Sequence, residues 1–235
     1  MGKLQQLKKD LRAAASPEKA KLLEGFFKTG KGEYGEGDRF LGVVVPDTRK
    51  LAKRYADLSY ADIKKLLAST WHEERFAGLI ILVNRFAKAD EKGRGEVYRF
   101  YLKNLKAVNN WDLVDTTTPQ VVGEYLVDRP RDILYKFARS RDLWKRRIAI
   151  LATFAFIKRD DHEDALAIAD ILLEDRHDLI HKAVGWMLRE VGKKSVATEE
   201  KFLKTRYKKM PRTMLRYAIE KFPEKKRKAY LDGRV

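Results

Sequence analysis

The stretch Trp144-Lys-Arg-Arg147-Ile-Ala-Ile-Leu151 sets polar side chains directly before a run of small and branched apolar residues. Three other stretches repeat the plan: Trp71-His-Glu-Glu-Arg75-Phe-Ala-Gly-Leu79, Trp111-Asp-Leu-Val-Asp115-Thr-Thr-Thr-Pro119 and Ile180-His-Lys182-Ala-Val-Gly-Trp186. A fifth copy falls at Pro211-Arg-Thr-Met-Leu215, and the spacings run from the low thirties to forty residues. That is the period of two-helix solenoid repeats. Outward from these copies, apolar residues recur every three or four positions and strand-type alternation is nearly absent, so the chain reads as almost all helix.

Breaks are expected at Ser16-Pro17, from Gly30 to Gly42, at Asp57-Leu58-Ser59, from Asp90 to Gly95, at Asp128-Arg129-Pro130, at Asp160-Asp161, from Gly192 to Thr198, and at Pro211 and Pro223. Ser16 before Pro17, Ser59 with Asp62, and Thr198 before Glu199 carry N-cap chemistry. The expected fold is all-α: an α-solenoid of helical pairs forming one domain over residues 1–235, its equivalent helix starts converging on a concave groove. A single irregular helical bundle is the alternative.

Charge narrows the partner. Across 235 residues, 51 Lys and Arg face 34 Asp and Glu, a net +17 with a pI near 9.8. Such a field attracts polyanions, and nucleic acid leads. Residues 201–235 hold thirteen Lys/Arg against three Asp/Glu, a net +10 by difference. Lys208, Lys209, Arg212, Arg216 and Lys225-Lys226-Arg227-Lys228 are interleaved there with Tyr207, Tyr217 and Tyr230. This composition grips phosphates; a merely solvated helix face accounts poorly for so large a bias. The chain has no cysteine, which removes disulfides, thiolate metal sites and thiol nucleophiles and fits a reducing, cytoplasmic setting. No apolar run approaches the about 20 residues of a membrane span, and the start MGKLQQLKKDLRAA lacks the apolar stretch of a signal peptide. The mature protein is expected to be the whole chain.

Several chemistries drop out. The run from Gly30 to Asp38 has no Gly-Lys-Ser/Thr and no preceding strand, so it reads as a helix connector. His177 and His181 share a helix face, but no third ligand is evident, so no metal or other cofactor is expected. No serine-nucleophile elbow is present. What remains is Trp111 and Asp115, one turn apart on one face, with Arg147 and Trp186 placed near the same wall by the repeat register. An indole, a carboxylate and a guanidinium around a groove can receive a developing cation, orient water and hold a phosphate. On composition alone the plainer reading leads: both tryptophans are core, and Asp115 caps a helix starting at Thr116-Thr117-Thr118-Pro119.

The stretches Phe26-Phe27-Lys-Thr-Gly30, Gly35-Glu-Gly-Asp-Arg-Phe-Leu-Gly42-Val-Val-Val-Pro46, Asn110-Trp-Asp-Leu-Val-Asp115, Leu143 to Leu151 and His181-Lys-Ala-Val-Gly-Trp-Met-Leu-Arg-Glu190 resemble, in order, the AlkD-type DNA alkylation repair glycosylases built from HEAT-like repeats. The resemblance spans most of the chain. It implies a monofunctional glycosylase that hydrolyses the N-glycosidic bond of cationic alkylpurines, such as N7-alkylguanine and N3-alkyladenine, in duplex DNA. Carried over by position, Asp115 is the catalytic carboxylate, Trp111 and Trp186 flank the lesion's deoxyribose, and Arg147 contacts the DNA backbone. Lys182 joins Lys208, Lys209, Arg212 and Arg216 as an expected DNA contact. The first repeat departs from the family: Phe26 or Phe27 and Val44 align where well-known members place polar or phenolic side chains against DNA. Two other functions remain open, a non-catalytic binder of distorted or branched DNA and a protein-interaction solenoid. A monomer is expected, since a lesion lacks the dyad symmetry that a dimer would match.

Overall fold

The computed structural model describes residues 2–235, and the described residues form no strand beyond one isolated bridge between Arg39 and Trp71. The chain divides into two compact units, Met1–Leu113 and Val114–Val235. The first holds α1 (Lys3–Ala13), α2 (Pro17–Phe26), α3 (Val45–Arg54), α4 (Tyr60–Leu67), α5 (His72–Lys88) and α6 (Glu91–Lys103). The boundary falls inside α7 (Trp111–Thr118). The second unit continues with α8 (Glu124–Leu126), α9 (Asp132–Ala138), α10 (Leu143–Ala152), α11 (Phe154–Ile157), α12 (Glu163–Ile171), α13 (Asp178–Lys194), α14 (Val196–Lys204), α15 (Arg212–Ala218) and α16 (Glu224–Leu231).

The five repeated stretches open α5, α7, α10, α13 and α15. In the first unit α4 packs on α5; in the second α9 packs on α10 and α12 on α13. There the second helices also pack on one another, α10 on α13 and α13 on α15. This is the solenoid plan: a pair buries one face within itself and the next face against its neighbour. On α13 the apolar residues Ile180, Ala183, Val184, Met187, Leu188 and Val191 are buried, at the three- and four-residue spacing of one helix stripe. Gly185 lies in that stripe because a Cβ there would collide with the Met214 carbonyl of α15.

Local chemistry set most boundaries. Ser16 accepts the Lys19 N–H at 3.4 Å and Ser59 the Asp62 N–H at 3.1 Å, as expected. Two expected breaks are narrower. Asp90 caps α6 by accepting the Gly93 N–H at 2.8 Å, so Gly93 and Gly95 lie inside the helix. α13 runs through Gly192 to Lys194, and Ser195, not Thr198, caps α14 at 3.2 Å. Gly192 serves close packing instead, because a Cβ there would strike the buried Glu199 carboxylate.

The reading of Asp115 as a cap is overturned by α7 itself. The helix begins at Trp111 and continues through Pro119 as a π-helical turn, Pro119–Gly123, into α8. Proline has no N–H for the ladder, and the wider turn absorbs that loss without ending the helix. The glycine-rich connector before α3 is anchored by Glu73. Its buried carboxylate on α5 accepts successive N–H groups from Leu41, Gly42 and Val43 at 2.9, 2.8 and 3.2 Å. Gly42 adopts φ +81°, and a Cβ would meet the backbone of Ser16 and Ala20 at the start of α2.

Candidate functional site

In the first unit the site is built around Trp111. The Trp111 N–H donates to the Asn110 side-chain oxygen at 2.8 Å. The half-buried indole stacks on Phe27, with ring centres 5.1 Å apart and planes 19° apart, while Phe26 meets it edge-on at 5.8 Å. Phe27 in turn stacks on Phe40 at 5.0 Å, and the imidazole of His72 packs against both rings. Of the three first-repeat residues, Phe27 is buried beneath the indole, Phe26 is 63% exposed, and Val44 precedes α3 at the surface.

Beneath the aromatics lies a buried charge network. His72 Nδ1 is 3.2 Å from Asp38 Oδ2, and Nε2 is 2.7 Å from Asp112 Oδ2. Arg75 Nη2 donates to Asp38 Oδ1 at 2.7 Å, and the Asn110 amide reaches Asp38 Oδ2 at 3.3 Å. Burial by itself disfavours the imidazolium, but the Asp112 charge and the hydrogen bonds from both carboxylates outweigh it and raise His72 to about 9. For Asp38 burial likewise pushes upward, and the His72 hydrogen bond with the Arg75 charge holds its carboxyl below the usual range. Two carboxylates are thus balanced by two cations.

Sequence reasoning missed this network. Its only local trace is the polar run His72-Glu73-Glu74-Arg75 on a helix whose first three turns are all buried. Charged residues are almost never fully buried unless paired.

In the second unit Asp115 and Arg147 form a bidentate pair: Nε to Oδ1 at 2.8 Å and Nη2 to Oδ2 at 2.7 Å, with the side chains 15% and 5% exposed. The remaining nitrogen, Nη1, donates to the Leu179 carbonyl at the start of α13. Each of the three guanidinium nitrogens of Arg147 thus has a protein partner, in a region where α10 packs against α13. Trp186, half-buried on α13, donates from Nε1 to Glu190 Oε1 at 3.0 Å and lies 6.1 Å from the Phe154 ring. Trp111 and Asp115, four residues apart, share a face of α7.

The expected DNA contacts are surface groups. Lys182 is half-exposed and paired with Asp178 at 2.7 Å. Lys208, Lys209, Arg212 and Arg216 are exposed, with Lys208 5.7 Å from the Tyr207 ring centre and Arg212 donating to the Leu231 carbonyl. The basic tail takes in the end of α14, then α15 and α16. Tyr207 and Tyr230 do not alternate with its cations on the surface: both are buried, edge to face at 5.3 Å, and Tyr207 Oη donates to the Val235 carbonyl at 2.6 Å. His177 accepts the Leu179 N–H at 3.1 Å and caps α13, and His181 bonds the Asp175 carbonyl. Among the described residues no group of three acidic, histidine or cysteine side chains is placed to hold a metal ion, and no helix is long and apolar enough to cross a membrane.

Stacked helical pairs, with no sheet among the described residues, define the class, and solved structures share it. The fold matches a protein described as a predicted DNA alkylation repair enzyme from Enterococcus faecalis, with TM-score 0.70 at 16% identity over 89% of this chain and 97% of that one. It also matches AlkD2 from Streptococcus mutans, with TM-score 0.55 at 17% identity over 94% and 97% of the two chains. A third match is smu.31 from Streptococcus mutans UA159, with TM-score 0.54 at 16% identity over 95% and 100%. No curated protein matches the chain. The sequence pattern of the DNA alkylation repair enzyme family matches residues 7–222, and the chain belongs to that family.

Proposed function

We propose that the protein is a monofunctional DNA glycosylase that releases cationic alkylpurines, N7-alkylguanine and N3-alkyladenine among them, from duplex DNA. The observation that carries the reading is the Asp115 carboxylate, held in one orientation by Arg147 and set one helical turn after Trp111. An alkylated purine already bears positive charge and departs without a general acid. The protein has then to stabilise an oxocarbenium-like sugar and position a water. Asp115 supplies the negative charge, and Trp111 and Trp186 supply aromatic walls. The bidentate pair with Arg147 fixes the plane and direction of the Asp115 carboxylate. Lys182, Lys208, Lys209, Arg212 and Arg216 hold the duplex along a concave basic groove, and the protein works as a cytoplasmic monomer without a cofactor.

The test is single-turnover release of N7-methylguanine from a defined duplex by wild type and Asp115→Asn. Wild type is expected to release the base and the variant to lose about 10²–10³-fold in rate, with duplex affinity nearly kept. A fully active variant refutes the assignment, and trapping of a covalent DNA adduct by borohydride refutes a monofunctional mechanism. The same ion pair favours a second reading, a non-catalytic binder of distorted or branched DNA, since a carboxylate clamped by a buried arginine also serves as architecture. That reading predicts tight binding with no base release.

A further inference from the structure

In the first unit a concavity of about 460 Å³ opens between the turn at Glu36–Asp38, the end of α4 through Thr70, and the end of α6 through Asn109. Three lysines from two separate helix ends line it: Lys64, Lys103 and Lys106. All three are exposed, and none of their ammonium groups has a hydrogen-bond or ion-pair partner among the described residues. Their neighbour Lys65, by contrast, pairs with Asp62 at 3.1 Å. Arg75 also lines the cavity; it is buried, its two terminal nitrogens go to Ser69 O and Asp38, and its Nε has no partner.

The acidic residues at the rim do not answer this charge. Asp38 is committed to His72, Arg75 and Asn110, and Glu36 accepts the Gly32 N–H at 2.8 Å. Four cations against two carboxylates leave the cavity positive, and a concave low-dielectric wall concentrates such a field. A cation near a helix C-terminus complements the helix dipole, which accounts for a lysine at each end but not for three around one cavity.

We propose that this concavity is a phosphate-binding pocket, taking either a backbone phosphodiester of DNA or a free phosphate anion on Lys64, Lys103 and Lys106. Its volume, within the range of small-ligand sites, admits a phosphate with an attached sugar or a second phosphate. The inference does not depend on the glycosylase reading, because no base release is measured in its test.

The full chain is titrated with inorganic pyrophosphate by calorimetry and with an undamaged duplex over a range of salt. Wild type is compared with K64A/K103A/K106A and with a control triple, K9A/K19A/K21A, whose exposed lysines lie outside the cavity. The pocket variant is expected to lose at least about tenfold in affinity for one of the two probes, where the control loses little. If the probe is DNA, the slope of log K against log salt falls by about 0.9 for the one phosphate lost. Loss with pyrophosphate alone assigns the pocket to free phosphate, and loss with duplex alone to a backbone phosphodiester. K64R/K103R/K106R is expected to restore binding. Equal losses in the two triples, or none in either, overturn the proposal and leave only a diffuse basic surface. Thermal melting without ligand separates a helix-dipole role, which lowers Tm, from binding, which does not.

Discussion

Asp115 and Arg147 are joined by two parallel hydrogen bonds of 2.8 and 2.7 Å across 32 residues of sequence, with both side chains largely withdrawn from water. One pair therefore serves two demands: it keeps a carboxylate aimed from α7, and it ties α7 to α10.

Those demands separate by mutation. Removing either partner leaves a buried charge uncompensated, so Asp115→Asn and Arg147→Met are each expected to cost about 3–5 kcal/mol in urea denaturation. Asp115→Leu with Arg147→Met replaces the pair by apolar groups and is expected to recover most of that loss. Excision is expected to stay about 10²–10³-fold slower in the double variant; recovery of both stability and activity would show the carboxylate to be structural.

The His72 network predicts an alkaline loss of stability. The imidazole rises from an ordinary 6.5 to about 9 on folding, so its contribution is complete below pH 6.5 and disappears as pH climbs through 9. The size is on the order of 3 kcal/mol. Urea midpoints between pH 6 and 9.5 are expected to fall more steeply in wild type than in His72→Gln, and parallel curves would contradict the charged pair. Asp38 acts at the other end: its lowered carboxyl stabilises above the ordinary value of 3.8, and that contribution goes as acid titrates the folded protein.

Glu199 gives the reverse case for a carboxyl. Burial, with Glu200 adding and Lys226 opposing, raises it from 4.5 to about 8. The neutral group is favoured in the fold below pH 4.5, that advantage is lost as pH rises through 8, and the ionised group is then buried at a cost. Glu199→Gln is neutral throughout, so its Tm is expected to exceed that of wild type by a few degrees at pH 9, the gap closing in acid.

Phe27 is predicted to act on chemistry through Trp111. Phe27→Leu keeps apolar volume but removes the ring stacked 5.1 Å from the indole, at a cost of about 1 kcal/mol in stability. Excision of N7-methylguanine is expected to slow while duplex affinity holds, the signature of a displaced wall. Equal slowing by Phe26→Ala, whose ring is exposed and meets Trp111 only edge-on, would assign the effect to general loosening.

Part of the site was legible because it is local. Trp111 and Asp115 are four residues apart on one helix, and their shared face follows from 3.6 residues per turn wherever that helix lies. The exposed cations of the tail followed from composition. The pairing of Arg147 did not: the sequence shows a cation at a helix start and has no means of showing that Leu179 and Asp115, both 32 residues away, close around it. Tyr207 and Tyr230 misled for the same reason, since a tyrosine among lysines looks the same whether its ring faces solvent or another ring.

By itself the sequence determined the helices, the Ser16 and Ser59 caps, the repeat that makes α5, α7, α10, α13 and α15 equivalent, and the basic field. Each depends on chain neighbours or on summed composition, which no packing alters. Tertiary structure alone decided that Glu73 anchors a glycine-rich connector, that Asp38, His72 and Asp112 share charge across 34 and 40 residues, and that Arg147 faces inward. A buried charge survives only where packing delivers its partner, and distant parts of the chain supply that partner.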